Sequence, residues 1–243
     1  MKSPLVPLLS TRSVVLFGAM LIAVALIVLA IGTSAKRADA ATRLVTKTFT
    51  NSAQIPIPKG SVFAAQGSEC TGTTAGKAAP YPSEKSVSAF PTGSHIRDVN
   101  LTLKNYSFND VPQDVDVLLA HSGKNRTVMS DVGTGLFVDN INLVLDDEAK
   151  NVLLLDQGQI DGGRFKPANI DGGDFFPAPA PTPDSRSALS GFDGQNPNNT
   201  WRLFVRDDSA EDCGKFGGGW SITIKAAVPA LSTSREAVIF YAD

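Results

Sequence analysis

The stretch NNTWRLFVRDDSAEDCGKFGGGWSITI, Asn198 to Ile224, sets two alternating segments on either side of an acid-rich loop that carries Cys213. In TWRLFVRD, period-two alternation puts Trp201, Leu203 and Val205 on one face of a strand. The same phase in WSITIK turns Trp220 inward. Both tryptophans are therefore expected in the core. Asp207, Asp208, Glu211 and Asp212 then fall on the turn between the strands, which reads as the closing hairpin of a β-sandwich.

The same period runs through the chain beyond residue 40. HIRDVNLTLKNY, from His95, alternates Val99, Leu101 and Leu103 against Asn100 and Thr102. LVTKTFT from Leu44, QDVDVLLA from Gln113, NRTVMSD from Asn125 and LFVDNINLVLDD from Leu136 are further strand candidates, bounded by Gly, Asn, Asp or Pro. Short strands separated by turn signals predict an all-β sandwich or jelly roll. The pattern breaks between Lys150 and Ser190, where PAPAPTP from Pro177 favours polyproline geometry and is excluded from a central strand. Phe165, Phe175 and Phe176 are expected to anchor this long surface connection to the body.

With 243 residues, 42% hydrophobic and 19% charged, the chain has apolar surface enough for a core of its own. Its net charge is −2, and the first forty residues hold Lys2, Arg12, Lys36 and Arg37 against the single acid Asp39, so the remainder is more acidic still. That balance argues against nucleic acid as a partner. SVVLFGAMLIAVALIVLAIG, Ser13 to Gly32, has no charge and no proline, follows Lys2 and Arg12, and precedes the small residues Thr33, Ser34 and Ala35. It reads as a hydrophobic leader helix that exports the chain. Two fates are open: cleavage after Ala35 or Ala40, or retention as an N-terminal membrane anchor through residues 13–32. Either places the rest outside the cytoplasm, secreted or anchored. The expected division is leader 1–40, sandwich 41–225 and tail 226–243, the tail holding one apolar run, Ala237 to Tyr241, as an added strand or a loose end.

Two cysteines in an exported chain, Cys70 and Cys213, point to a disulfide, with two buried thiols as the alternative. A bridge closing so long a loop is worth about 5 kcal/mol on the chain-entropy model.

The constellations for catalysis are poor. Only His95 and His121 can serve as an imidazole base, no GxSxG elbow is present, and adjacent residues such as His121 and Ser122 rarely form a nucleophile–base pair. The histidines and cysteines lack zinc-ligand spacing, and the glycine run at Gly217 has no following helix pattern to cradle phosphate. Sequons at Asn100, Asn105, Asn125 and Asn198 read as chance composition. Carboxylates are the abundant reactive group, and they cluster where strands meet loops. Calcium takes six to eight oxygens, so Asp114, Asp116, Asp146, Asp147, Asp207 and Asp208 are candidate calcium ligands, against ordinary turn and surface roles. In QDVDV the two aspartates share the face opposite Val115 and Val117, which is also the pattern of a half-buried strand with a polar outer side. Glycoside hydrolysis by paired carboxylates would need an aromatic-lined cleft, and the two tryptophans both point inward.

From about Val45 to Ile224 the chain resembles the P domain, or Homo B domain, of proprotein convertases. The resemblance rests on HIRDVNLTL, DVDVLLAHSGKNRTVMSDVG, FKPAN with FFPAPAP, and above all ALSGFDGQNPNNTWRLFVRDD followed by CGKFGGGWSITI. It implies a jelly-roll-like antiparallel β-sandwich (galactose-binding-like) of eight strands. In convertases this module stabilises a neighbouring subtilisin-like enzyme and tunes its calcium and pH dependence. No catalytic residue carries over, because the P domain has none. Two positions depart from the family: Ser122 stands where proline is usual, and Asn199 where glycine is common. The expectation is a non-catalytic secreted or surface module that binds or stabilises a protease or other surface protein. The alternatives are an accessory of a subtilisin-like serine endopeptidase on another chain, and a calcium-dependent adhesion or carbohydrate-binding module.

Overall fold

The computed structural model describes residues 42–61, 70, 74–153 and 159–230. The leader and the run from Ala237 to Tyr241 lie outside them. Among the described residues, no helix is long and apolar enough to cross a membrane.

The described residues form fourteen strands in chain order: β1 (Thr42–Asn51), β2 (Ile55–Ile57), β3 (Gly76–Lys77), β4 (Ser83–Val87), β5 (His95–Phe108), β6 (Val115–His121), β7 (Lys124–Ser130), β8 (Val138–Leu145), β9 (Asn151–Val152), β10 (Gly163–Lys166), β11 (Ala168–Asn169), β12 (Asn199–Asp207), β13 (Gly214–Phe216) and β14 (Trp220–Pro229). Among the described residues, helix is confined to two 3-10 turns, Pro112–Asp114 and Leu189–Phe192. All seven segments that alternate in sequence form strands, and β14 continues past Lys225 to Pro229, so the sandwich takes in residues assigned to the tail.

The strands make two sheets. One runs β1-β14-β5-β8-β10-β9, with β13 pairing both β5 and β2; the other runs β11-β7-β6-β12-β3, with β4 also on β12. Leu101, Leu103, Ile222 and Ile224 of the first share a core with Val117, Leu119, Leu203 and Val205 of the second. Trp201 and Trp220 are fully buried in it. Their indole N–H groups are satisfied, Trp220 Nε1 donating to Ser83 Oγ (2.9 Å) and Trp201 Nε1 to the Pro197 carbonyl (3.3 Å).

Three sequence expectations are corrected. First, β12 and β14 do not form a hairpin. β12 pairs with β6, from Trp201↔His121 to Asp207↔Val115, whereas β14 pairs with β1 and β5 in the opposite sheet. The chain between them is an arch that carries β13 from one sheet to the other. Alternation fixes which face a residue takes but says nothing of its strand's partner. The arch is tied by the Cys70–Cys213 disulfide, which closes 143 residues with 5.8 Å between the Cα atoms. Such a bridge is compatible with an extracellular location.

Second, the sheets are mixed rather than antiparallel. β10 runs parallel to β8 and β9, and β11 parallel to β7. These short strands come from the Lys150–Ser190 connection, long enough to return in the parallel sense that a hairpin forbids.

Third, the outer face of the six-stranded sheet is covered. Every residue of β6 is buried, Val115, Val117 and Leu119 facing the core and Leu118 and Ala120 facing outward. Phe176, Phe204, Tyr81 and Ala180 close over that outer face. Tyr81 stacks edge-on to Phe204 at 5.1 Å between centroids and donates its hydroxyl to the Pro177 carbonyl (3.0 Å). The proline-rich segment is thus a roof. Phe165 packs against the core and Phe176 anchors the roof, but Phe175 is 71% exposed, because neighbouring side chains of an extended segment point to opposite sides.

Candidate metal centre

Acidic side chains converge at one end of the six-stranded sheet, on both of its faces. On the outer face, Asp116 sits second in β6, opposite Arg206 of β12. Sequence alternation puts it on a wet face, yet the roof leaves it 1% exposed. Asp131 follows β7 with a φ of 54°, and the buried Ser130 hydroxyl donates to its Oδ2 at 2.9 Å. Asp174 arrives from the loop after β11. There Asp171, Gly172 and Gly173 take φ values of 59°, 65° and 92°, a tight left-handed curl that glycine accommodates without strain and that returns the chain to the sheet. One carboxylate oxygen from each of Asp116, Asp131 and Asp174 lies within 4.8 Å of the other two.

The electrostatics of this group are unfavourable without a counter-charge. Burial, then the Asp174 charge, pushes the Asp116 carboxyl up to about 8, although Ser130 and Arg206 oppose the shift. Burial and the charges of Asp174 and Asp171 raise Asp131, against the Ser130 hydrogen bond. Asp116 Oδ2 is buried without a hydrogen-bond partner. Arg206 Nη1 lies 3.8 Å from it, beyond hydrogen-bond reach, and donates instead to the Phe175 carbonyl at 2.5 Å.

The inner side of the same end holds the arch. Asp207 is fully buried, and its Oδ1 accepts from Ser209 N (3.1 Å), capping the turn, while its Oδ2 has no partner. Asp208 N donates to the Asp114 carbonyl (2.9 Å), which binds the arch to the 3-10 turn before β6. Burial raises Asp207 to about 7, with the Asp114, Asp212 and Asp208 charges adding to it. Asp212 rises to about 6, from burial and then Asp110 and Asp114. Burial and the Asp208 charge raise Asp114 as well. Cys213 N donates to Asn109 Oδ1 (2.8 Å), so the disulfide and this bond hold the arch from both sides.

Of the six nominated aspartates, Asp114, Asp116, Asp207 and Asp208 meet at this end. Asp146 and Asp147 do not. Asp146 pairs with Arg164 and accepts from Glu148 N, and Asp147 accepts from Leu189 N (2.9 Å) and Ser190 N (2.7 Å) at the start of the second 3-10 turn. Their oxygens are committed to local structure. Asp131, Asp174 and Asp212 are not among the six, and only the fold brings them to this end.

The remaining candidates resolve plainly. His121 and Ser122 do touch, Oγ to Nε2 at 3.3 Å, against the expectation for adjacent residues. The contact does not activate the serine, because His121 Nε2 is 2.8 Å from the Asn196 carbonyl and must carry a proton to donate to it. The ring stacks on Trp201 at 3.9 Å, and burial lowers its pKa. A cavity of about 310 Å³ beside it is lined by Lys124, Arg202, Pro179, Pro181 and Phe204, with no carboxylate to orient an imidazole among the described lining residues. The amides of Gly217, Gly218 and Gly219 donate to the carbonyls of Asn105, Lys104 and Phe216, which leaves no phosphate cradle. Asn125 and Asn198 spend their side-chain amides on the backbone of Thr182, Asp184 and Phe90.

No family model, curated protein or solved structure matches the chain.

Proposed function

We propose that this chain is a non-catalytic, extracytoplasmic β-sandwich of P/Homo B type, with jelly-roll topology, that binds or stabilises a partner protein. The observation that carries the reading is the state of His121. The one buried imidazole is a structural ring, stacked on Trp201 and proton-locked by Asn196, so the Ser122 beside it has no base. What remains is a body tied by its disulfide and roofed on its second sheet, which suits a scaffold better than a reaction centre. The resemblance of residues 45–224 to P domains supplies the partner class, a subtilisin-like protease on another chain or a second surface protein.

Chemical crosslinking on intact source cells, followed by mass spectrometry, tests this. Recovery of one defined surface protein or protease in reproducible stoichiometry is the expected result. Peptide or ester hydrolysis by the pure protein that disappears in His121→Ala would contradict it.

A second reading, calcium dependence of the module, is favoured by the arch, where the buried Asp207 Oδ2 has no partner and the carboxyls of Asp114 and Asp212 lie close by. Here Asp207, Asp114, Asp208 and Asp212 would supply the oxygens.

A further inference from the structure

We infer that Asp116, Asp131 and Asp174 form a calcium site on the outer face of the six-stranded sheet, separate from the arch, and that the bound ion latches the proline-rich roof onto β6 and β12. Three observations carry it. A carboxylate oxygen of each residue lies within 4.8 Å of the others, the spacing of ligands around one ion. Asp116 is 1% exposed, and its Oδ2 has no hydrogen-bond partner, so a full carboxylate oxygen is withheld from both water and protein donors. The available cation, Arg206, is turned to the Phe175 carbonyl and stands 3.8 Å off. A buried carboxylate with a distant cation and no hydrogen bond is costly to keep, and a divalent ion offsets that cost together with the mutual repulsion of the group.

The ligand chemistry selects the ion. Three hard carboxylate oxygens, from a strand, the residue after a strand and an irregular loop, suit calcium, which takes oxygen ligands at about 2.3–2.6 Å in flexible geometry. Magnesium draws opposite oxygens to about 4.0–4.2 Å and demands near-ideal octahedral geometry. Zinc favours nitrogen and sulfur, which the site lacks.

The placement makes the ion a latch. Asp116 belongs to β6 and Asp131 directly follows β7, so both are held close to the sheet. Asp174 belongs to the incoming roof and precedes Phe175 and Phe176. Phe176 then seats on Leu118, Ala120 and Phe204. With the ion present, Asp174 is drawn to the sheet and Phe176 is held down. Without it, the repulsion of Asp174 from Asp131 works against that seat, and the apolar patch beneath is uncovered more often. The inference does not rest on the non-catalytic reading, and it differs from calcium at the arch in its ligands.

The test uses the full exported protein, freed of metal by chelation. Calcium chloride is titrated calorimetrically, and chymotrypsin cleavage after Phe175 is timed with calcium or chelator, the Phe176–Pro177 bond being resistant. The variants are Asp131→Asn with Asp174→Asn, and separately Asp207→Asn. Calcium should bind saturably and slow cleavage at this site at least tenfold. The double variant should lose both effects while melting in chelator no lower than the unaltered chain, since it relieves repulsion without emptying the core. Asp207→Asn should keep the protection. Three results would overturn the latch: no calcium uptake up to millimolar concentration, calcium protection that survives in the double variant, or protection abolished by Asp207→Asn alone, which would put the ion in the arch. Equal protection by magnesium chloride would overturn the choice of calcium.

Discussion

Trp201 is fully buried at the meeting point of two other rings. Its ring lies under His121 at 3.9 Å and meets Phe192 edge-on at 5.1 Å, and its N–H is satisfied by Pro197. Trp201→Ala should lose about 3–5 kcal/mol in denaturant unfolding, the range for emptying a large aromatic site. His121 carries a pH prediction. Burial holds its folded pKa below the ordinary value of about 6.5. Between those two pH values the unfolded chain binds the extra proton, so the neutral ring's contribution is complete above about 6.5 and is lost as pH falls toward the folded pKa. The stability gap between the native chain and His121→Asn should therefore narrow from pH 7 to pH 5.5. A ring-proton titration by NMR should place the midpoint below that of free histidine. At Ser122 the backbone φ is 46°, with Gly123 at 81°, the two-residue primed turn that joins β6 to β7. Proline, the residue that the resemblance to P domains leads one to expect there, cannot adopt that angle. Ser122→Pro should cost at least about 1–3 kcal/mol, the range for forcing a residue against its backbone preference, while Ser122→Gly should be neutral or stabilising. At this scale the sequence was legible for side chains whose face is set by their own strand, such as Trp201 and Trp220. It was not legible for Asp116, whose burial is decided by a segment more than fifty residues downstream.

Among the elements, the seven alternating strands could be read directly, because each carries its own period and boundaries. Their partners could not, since pairing is a tertiary choice between strands of equal local quality. The acid-rich stretch after β12 shows the difference: as sequence it is a hairpin turn, and in the fold it is an arch between sheets. Gly219 makes its re-entry possible, with φ of 65° and a backbone so close that a Cβ would sit 2.2 Å from the Asn51 carbonyl oxygen. The short strands β9 to β11 escaped notice because two to four residues show no period, and proline nearby reads as loop. The arch gives a prediction at this scale. Replacing Cys70 and Cys213 together by serine should destabilise the fold by about 5 kcal/mol, given the length of the closed loop. The roof gives another. Phe176→Ala should lose about 3–5 kcal/mol at most, less if the exposed edge lets the roof settle, and Phe175→Ala should change stability little.

At the scale of the whole molecule, two mixed sheets share one core, and a group of aspartates gathers at one end of the six-stranded sheet. Carboxyls there belong to the first turn of β6, the end of β7, the roof loop and the arch, four places far apart in sequence. Their separate local readings, as caps and surface acids, are each reasonable, and Asp207 does cap its turn. Only the fold shows that they converge, with Asp116 Oδ2 and Asp207 Oδ2 left without a hydrogen bond, and the cation-ligand role proposed above rests on that convergence. Thermal unfolding of the purified chain in calcium against chelator measures that role most directly. Saturation at about a hundredfold over the dissociation constant is worth about 2.7 kcal/mol, or about 5–10 °C for a domain of this size. The expected result is an upward shift of that order in calcium that vanishes when Asp131 and Asp174 are both asparagine; superimposable melts in the two conditions would contradict it.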